Sequence, residues 1–225
     1  MKKKNYFGKY GFTLAEVLIT LSIIGVVTAI TLPLVINKTQ KFVLKQQFKK
    51  SVNILSNAVR KTYADMEYTP HCSYGLNDGT NNGTSSECRD FNNILIKNLK
   101  IIKYCPNKAF ENGCIADIKG IDTIIMDNDS NLSEEEAINM TYGVRYFQKY
   151  KILNNNQTWV LQDGQILMPF HITFPLYLVD INGLKGPNKW GYDIYTFSIN
   201  KYKLICAFDS IEQGGVTCSK LMTNP

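Results

Sequence analysis

Residues 9–38, "KYGFTLAEVLITLSIIGVVTAITLPLVINK", decide how the rest of the chain is read. The run from Phe12 to Ile36 has 25 residues, and Glu16 is the one charged residue in it. As a helix rising about 1.5 Å per residue it is roughly 37 Å long. A hydrocarbon core is about 30 Å thick, so the segment can span a bilayer with some tilt. One use of such a run is a cleaved secretory signal, with Lys2 to Lys4 as its basic region and Val27-Thr28-Ala29 as the small-residue cleavage site. A plain single-span anchor is a second. Neither gives Glu16 a purpose, because a carboxylate within a membrane segment is costly and implies a partner.

The residues around that glutamate resemble a known signal. Gly11-Phe12-Thr13-Leu14-Ala15-Glu16, followed by Val17-Leu18-Ile19, is similar to the class III signal of type IV pilins and type II secretion pseudopilins. In that family a short basic leader ends in glycine, the mature chain begins with phenylalanine, and the fifth mature residue is glutamate. Counted from Phe12, Glu16 is fifth, and Pro33 is twenty-second, the place of the family's helix-kinking proline. The resemblance covers Met1 to about Tyr63.

The resemblance implies an α+β, pilin-like fold, with a long N-terminal helix packed on a C-terminal antiparallel sheet. It implies a structural subunit and no catalytic residues. A prepilin peptidase would cut between Gly11 and Phe12 and methylate the new amino group of Phe12. That group keeps its charge on methylation, so Glu16 of an incoming subunit can pair with Phe12 of a neighbour. Glu16 and Pro33 are the expected assembly residues. The implied partners are the peptidase, other pilin or pseudopilin subunits and an inner-membrane assembly platform. The implied location is the bacterial inner membrane, single-pass with the N-terminus cytoplasmic and the head outside, followed by a pilus or pseudopilus. A membrane-anchored extracytoplasmic binding module that never polymerises is the alternative.

Charge narrows the partners further. The net charge is +6, from 25 basic and 19 acidic residues. Lys2, Lys3, Lys4 and Lys9 carry four of those charges, which leaves 21 against 19, or +2, from Phe12 onward. A nucleic-acid binder carries a basic footprint over its folded domain, so nucleic acid is not an expected partner. The remaining asymmetry is local: Lys38, Lys41, Lys45, Lys49, Lys50, Arg60 and Lys61 follow one another with no acid between Glu16 and Asp65. A solvated helix face is the simpler reading of that run; contact with acidic lipid or nucleic acid is the other.

Six cysteines, Cys72, Cys88, Cys105, Cys114, Cys206 and Cys218, all follow the apolar run. None forms a C-x-x-C pair, and the two histidines, His71 and His171, are far apart, which is a poor pattern for structural zinc. An even set of cysteines suits an oxidising compartment. Fifteen connectivities are possible; the expected pairs are Cys72–Cys88, Cys105–Cys114 and Cys206–Cys218, which close short loops.

Five segments follow: a basic leader at 1–11, a membrane and assembly helix at 12–36, an amphipathic stalk helix at 37–64, a cysteine-containing connection at 65–156 and a sheet region at 157–225. Leu44, Phe48, Val52, Leu55, Val59 and Tyr63 recur at helical spacing and form the stalk's apolar stripe. In the connection, turn signals at Asn77-Asp78-Gly79 and Asn82-Gly83 precede one amphipathic helix between Glu87 and Lys103. Ser133 and Glu136 form a capping box for another. Strands are expected at 158–162, 165–170, 173–179, 192–199 and 202–208, the first two joined by Asp163-Gly164. The helix stripe would cover one face of that sheet.

No P-loop, dinucleotide fingerprint or nucleophile elbow occurs, so no enzyme is expected. One loop, "VDINGLKGPNKWGYD" at 179–193, offers Asp180, Asn182 and Asp193 as oxygen ligands of the kind calcium takes. It resembles a recurrent element of pseudopilin-like proteins, some of which bind calcium in a C-terminal loop. The other reading is a turn in which Asp and Asn cap their own backbone. No cofactor is required by the rest of the chain.

Overall fold

The computed structural model describes residues 11–68, 72, 85–141, 147–171, 174–200, 202–207 and 214–223. The leader lysines, the turns at 77–79 and 82–83, His71 and the end of the last expected strand lie outside the described residues. The chain forms two units, Met1–Val43 and Leu44–Pro225.

Helix α1 runs from Leu14 to Asp65. In the first unit its apolar side chains are exposed all round, from Leu14 to Ile36. It is, among the described residues, the one helix long and apolar enough to cross a membrane. Three hydroxyls in this stretch find acceptors on the helix itself: Thr20 donates to the Val17 carbonyl, Ser22 to Leu18 and Thr31 to Val27. Satisfying polar groups within the segment is what a water-free surrounding demands. Pro33 sits inside the helix; lacking an N–H, it leaves the carbonyl one turn earlier without its usual donor.

In the second unit the same helix buries Phe48, Ser51, Leu55, Ala58, Val59 and Thr62. From Phe48 to Ala58 these positions step by three, four and three residues, and Val59 and Thr62 continue the same helical face. Leu44, Val52 and Tyr63, also in the expected stripe, pack at its margins. Helix α2, Ser85–Asn98, adds Phe91 and Leu95 to the same core.

The sheet has six strands: β1 Ile101–Cys105, β2 Thr158–Leu161, β3 Ile166–His171, β4 Phe174–Asp180, β5 Ile194–Asn200 and β6 Lys203–Cys206. All neighbours are antiparallel, and the order follows the chain. One expectation needs correction here. The helix expected to reach Lys103 stops at Asn98, and the residues after it form edge strand β1, paired with β2. The sheet therefore begins inside the segment taken as a connection.

The helix stripe covers one sheet face, as expected, and the other face is covered as well. Tyr177 and Val179 of β4 and Tyr195 and Phe197 of β5 meet the helices, while Leu176 and Leu178 point into a separate core. That core is built by Ile115, Ile118, Phe147 and Ile152, from the stretch between β1 and β2, against Ile166, Met168 and Ile194. Trp190 joins it, stacked edge-on against Phe147, with its Nε1 donating to the Lys119 carbonyl. The sheet is buried on both faces, which explains why its central strands are apolar at both parities.

The same stretch holds α3, Ile121–Asn128, and α4, Glu134–Met140. Ser133 and Glu136 form the reciprocal cap of α4, and those hydrogen bonds hold the Glu136 carboxyl below its usual range. A turn of π-helix at Lys151–Asn155 leads into β2, and α5, Cys218–Thr223, closes the described chain. The cysteines are bridged as Cys72–Cys88, Cys105–Cys114 and Cys206–Cys218. Each bridge fastens a loop or short helix to a core element, and disulfides of short loops stabilise a domain by about 2–4 kcal/mol.

Candidate functional site

The N-terminal end of α1 is built by a reciprocal cap. Glu16 Oε2 accepts from the Thr13 amide and from the Thr13 hydroxyl, each at 2.8 Å. The Glu16 amide donates to Thr13 Oγ1 at 3.2 Å. Thr13-Leu14-Ala15-Glu16 is therefore a capping box, with Glu16 at the third helical position. The prepilin resemblance makes Glu16 an assembly residue; its T-x-x-E spacing from Thr13 is the sign in the sequence of this second role. Gly11 and Phe12 lie just before the helix, and the Phe12 side chain is 89% exposed. The proposed cleavage point is thus outside regular structure, beside a helix end whose free amides favour negative charge.

Residues 7–32 match the family model described as the prokaryotic N-terminal methylation motif. The chain carries a prepilin-type signal. The match takes in Gly11, Phe12 and Glu16 and ends one residue before Pro33. No curated protein and no solved structure matches the chain. Beneath this prepilin-type signal, the long helix and the six-stranded antiparallel sheet make an α+β, pilin-like arrangement.

The other sequence candidate is the β4–β5 loop. Asp180 and Asp193, at its two ends, are fully buried. Asp180 Oδ1 accepts from the amides of Asn182 and Gly183 at 3.1 and 2.8 Å. Asp193 takes the Asn188 amide on Oδ2 and the Lys189 amide on Oδ1, both at 2.7 Å. The Ile181 amide donates to the Asp193 carbonyl at 2.9 Å and closes the loop's neck. These are the self-capping bonds of the turn reading. Gly183 has φ +71°, and a Cβ there would lie 2.1 Å from the Gly164 carbonyl oxygen, so the β2–β3 turn packs directly on the loop.

The turn bonds leave two oxygens over. Asp180 Oδ2 and Asn182 Oδ1 are buried with no hydrogen-bond partner among the described residues. Burial pushes the Asp180 carboxyl well above the usual carboxylate range, and the Asp193 charge adds to the rise. Burial also raises Asp193, against the amides that lower it. The loop thus brings together the three residues singled out in the sequence, with spare oxygens and an unfavourable charge balance. Among the described residues no group of three or more His, Cys, Asp or Glu is placed to hold a metal. A cation here would rest on the Asp180 and Asp193 carboxylates and the Asn182 amide oxygen, donors of the kind calcium takes.

Proposed function

We propose that this protein is a structural subunit of a type IV pilus or a type II secretion pseudopilus. A prepilin peptidase cleaves it between Gly11 and Phe12 and methylates Phe12. Phe12–Ile36 then holds it in the inner membrane until an assembly platform adds it to a filament of similar subunits. The methylation motif, which from Leu14 onward lies on an apolar helix exposed all round, carries this reading. Such a helix needs lipid before assembly and other helices after it. Three disulfides and no free cysteine support a head outside the cytoplasm.

Glu16 then has two duties. It caps its own helix, and in the filament it meets the Phe12 ammonium of a neighbour, an opposite charge that steers docking and fixes register. Pro33 loosens the helix where subunits pack. Mass spectrometry of the native protein tests the processing: the expected chain begins with N-methylated Phe12. A chain that keeps its leader under expression with the peptidase supports instead a plain anchor carrying a binding module.

The head loop supports a second, separate proposal. Asp180, Asn182 and Asp193 would hold calcium, which would supply positive charge to two buried carboxylates and use the two spare oxygens. Calcium at about a hundred times its Kd is expected to raise the Tm of the full chain in detergent by roughly 5–10 °C. Asp193→Asn is expected to remove that increment. An unchanged Tm in calcium leaves only the hydrogen-bonded turn.

A further inference from the structure

Two regions of the second unit carry opposite charge and do not neutralise each other. On α1, Lys45, Lys49 and Arg60 follow at i, i+4 and i+15, within an arc of about 60° on the helix surface. This face adjoins the buried stripe but is not part of it: Lys45 and Lys49 are half-buried along their stems and Arg60 is exposed. Long basic side chains in that position lay their methylenes on the apolar margin and present the charge outward. The acidic region lies between Lys119 and Arg145, a stretch with six acids and no base. Asp122 is buried under the Lys149 amide, Asp127 pairs with Lys119, and Glu136 is engaged in the α4 cap. Asp129, Glu134 and Glu135 remain exposed.

Among the described residues no ion pair joins these two regions. The ion pairs that involve their neighbourhoods are Lys50 with Asp163, Lys119 with Asp127 and Lys149 with Asp117. Each region therefore keeps an outward field within a chain whose total charge is close to balanced beyond the leader. Two different, mutually complementary patches on one chain cannot satisfy each other in a two-fold pair unless both meet at once. Used head to tail, they generate an open, repeating series.

We propose that the α1 face bearing Lys45, Lys49 and Arg60 receives the α3–α4 region of a second copy of this chain, through Asp129, Glu134 and Glu135. The inference rests on the filament reading and deepens it by naming a head-to-stalk contact that is independent of Phe12 and Glu16. A single exposed ion pair contributes little, whereas several facing charges set register and reject wrong neighbours. The contact is screened by salt, with a range near 8 Å at physiological ionic strength.

Charge swaps in the full chain, expressed with its assembly machinery, test it. Lys45→Glu with Lys49→Glu is expected to lower incorporation into sheared filaments by about tenfold, and Glu134→Lys with Glu135→Lys to do the same. All four together are expected to restore most of it. A Glu135→Cys copy beside a Lys49→Cys copy is expected to give an oxidised dimer in filaments, with non-reducing gels confirming that the native disulfides stay closed. If each reversal incorporates like wild type while Glu16→Val does not, the patch contact is wrong and the filament reading stands. If wild type itself never leaves the membrane for a filament, both fail. If only the lysine reversal lowers incorporation, the acidic swap does not restore it, and binding to phosphatidylglycerol vesicles falls in parallel, the occupant is lipid and the proposal is overturned.

Discussion

Glu16→Val is expected to reduce incorporation into filaments by about a hundredfold, while Glu16→Gln separates the two duties of this residue. Glutamine at the third helical position still accepts the Thr13 amide, because a capping box takes Glu or Gln there. It cannot offer a charge to a neighbour's ammonium. The hydrogen bonds from Thr13 to Glu16 Oε2 make the distinction necessary, since valine removes cap and charge together. Circular dichroism of the full chain in detergent reads the cap, and the fraction of subunits recovered in sheared filaments reads the pairing. The charge role requires Gln to assemble as poorly as Val with helicity intact. Wild-type assembly by Gln would leave the cap as the whole function of Glu16. Thr13→Ala completes the set: it weakens the cap, leaves the carboxylate in place, and is expected to assemble within about threefold of wild type.

What could be read from the sequence depended on how regular each signal was. The membrane helix was legible because 25 residues share one property, and the β2–β3 hairpin because Gly164 at φ +87° needs the Asp163-Gly164 turn chemistry. Strand β1 was not, because Leu99, Ile101 and Ile102 continue the apolar spacing of α2 with no glycine or proline to mark its end. A short edge strand after a helix gives little period-2 signal in five residues. The second core was hidden for another reason. Ile115, Ile118 and Phe147 lie outside the named helices and strands and Ile152 comes from a single turn of π-helix, so no periodicity links them. The sign that existed was in the strands themselves. Leu176-Tyr177-Leu178-Val179 is apolar at four successive positions, which a sheet with one wet face would not carry. In the loop, residue types pointed to Asp180, Asn182 and Asp193, but only three dimensions revealed that Asp180 Oδ2 and Asn182 Oδ1 are buried and spare.

Phe48→Ala is expected to destabilise the head by about 3–5 kcal/mol, the usual cost of truncating a buried phenylalanine. Phe48 is 2% exposed and sits between Tyr195, with ring centroids 4.8 Å apart, and Phe197, at 5.9 Å. It is the first fully buried side chain that α1 contributes to the helix-facing core. Its loss empties a site walled by β5, whose residues are themselves fixed by pairing with β4 and β6, so the cavity cannot easily close. Phe42, six residues earlier on the same helix, is 64% exposed, and Phe42→Ala is expected to change head stability by less than about 0.5 kcal/mol. Denaturant unfolding of both variants, followed by tryptophan fluorescence, makes the comparison. A cost below about 1 kcal/mol for Phe48→Ala would show that α1 is not held by this core. The opposite ranking belongs to assembly: Phe42, largely exposed in the subunit, has little contact to lose there, and its truncation is expected to act where neighbouring helices cover it.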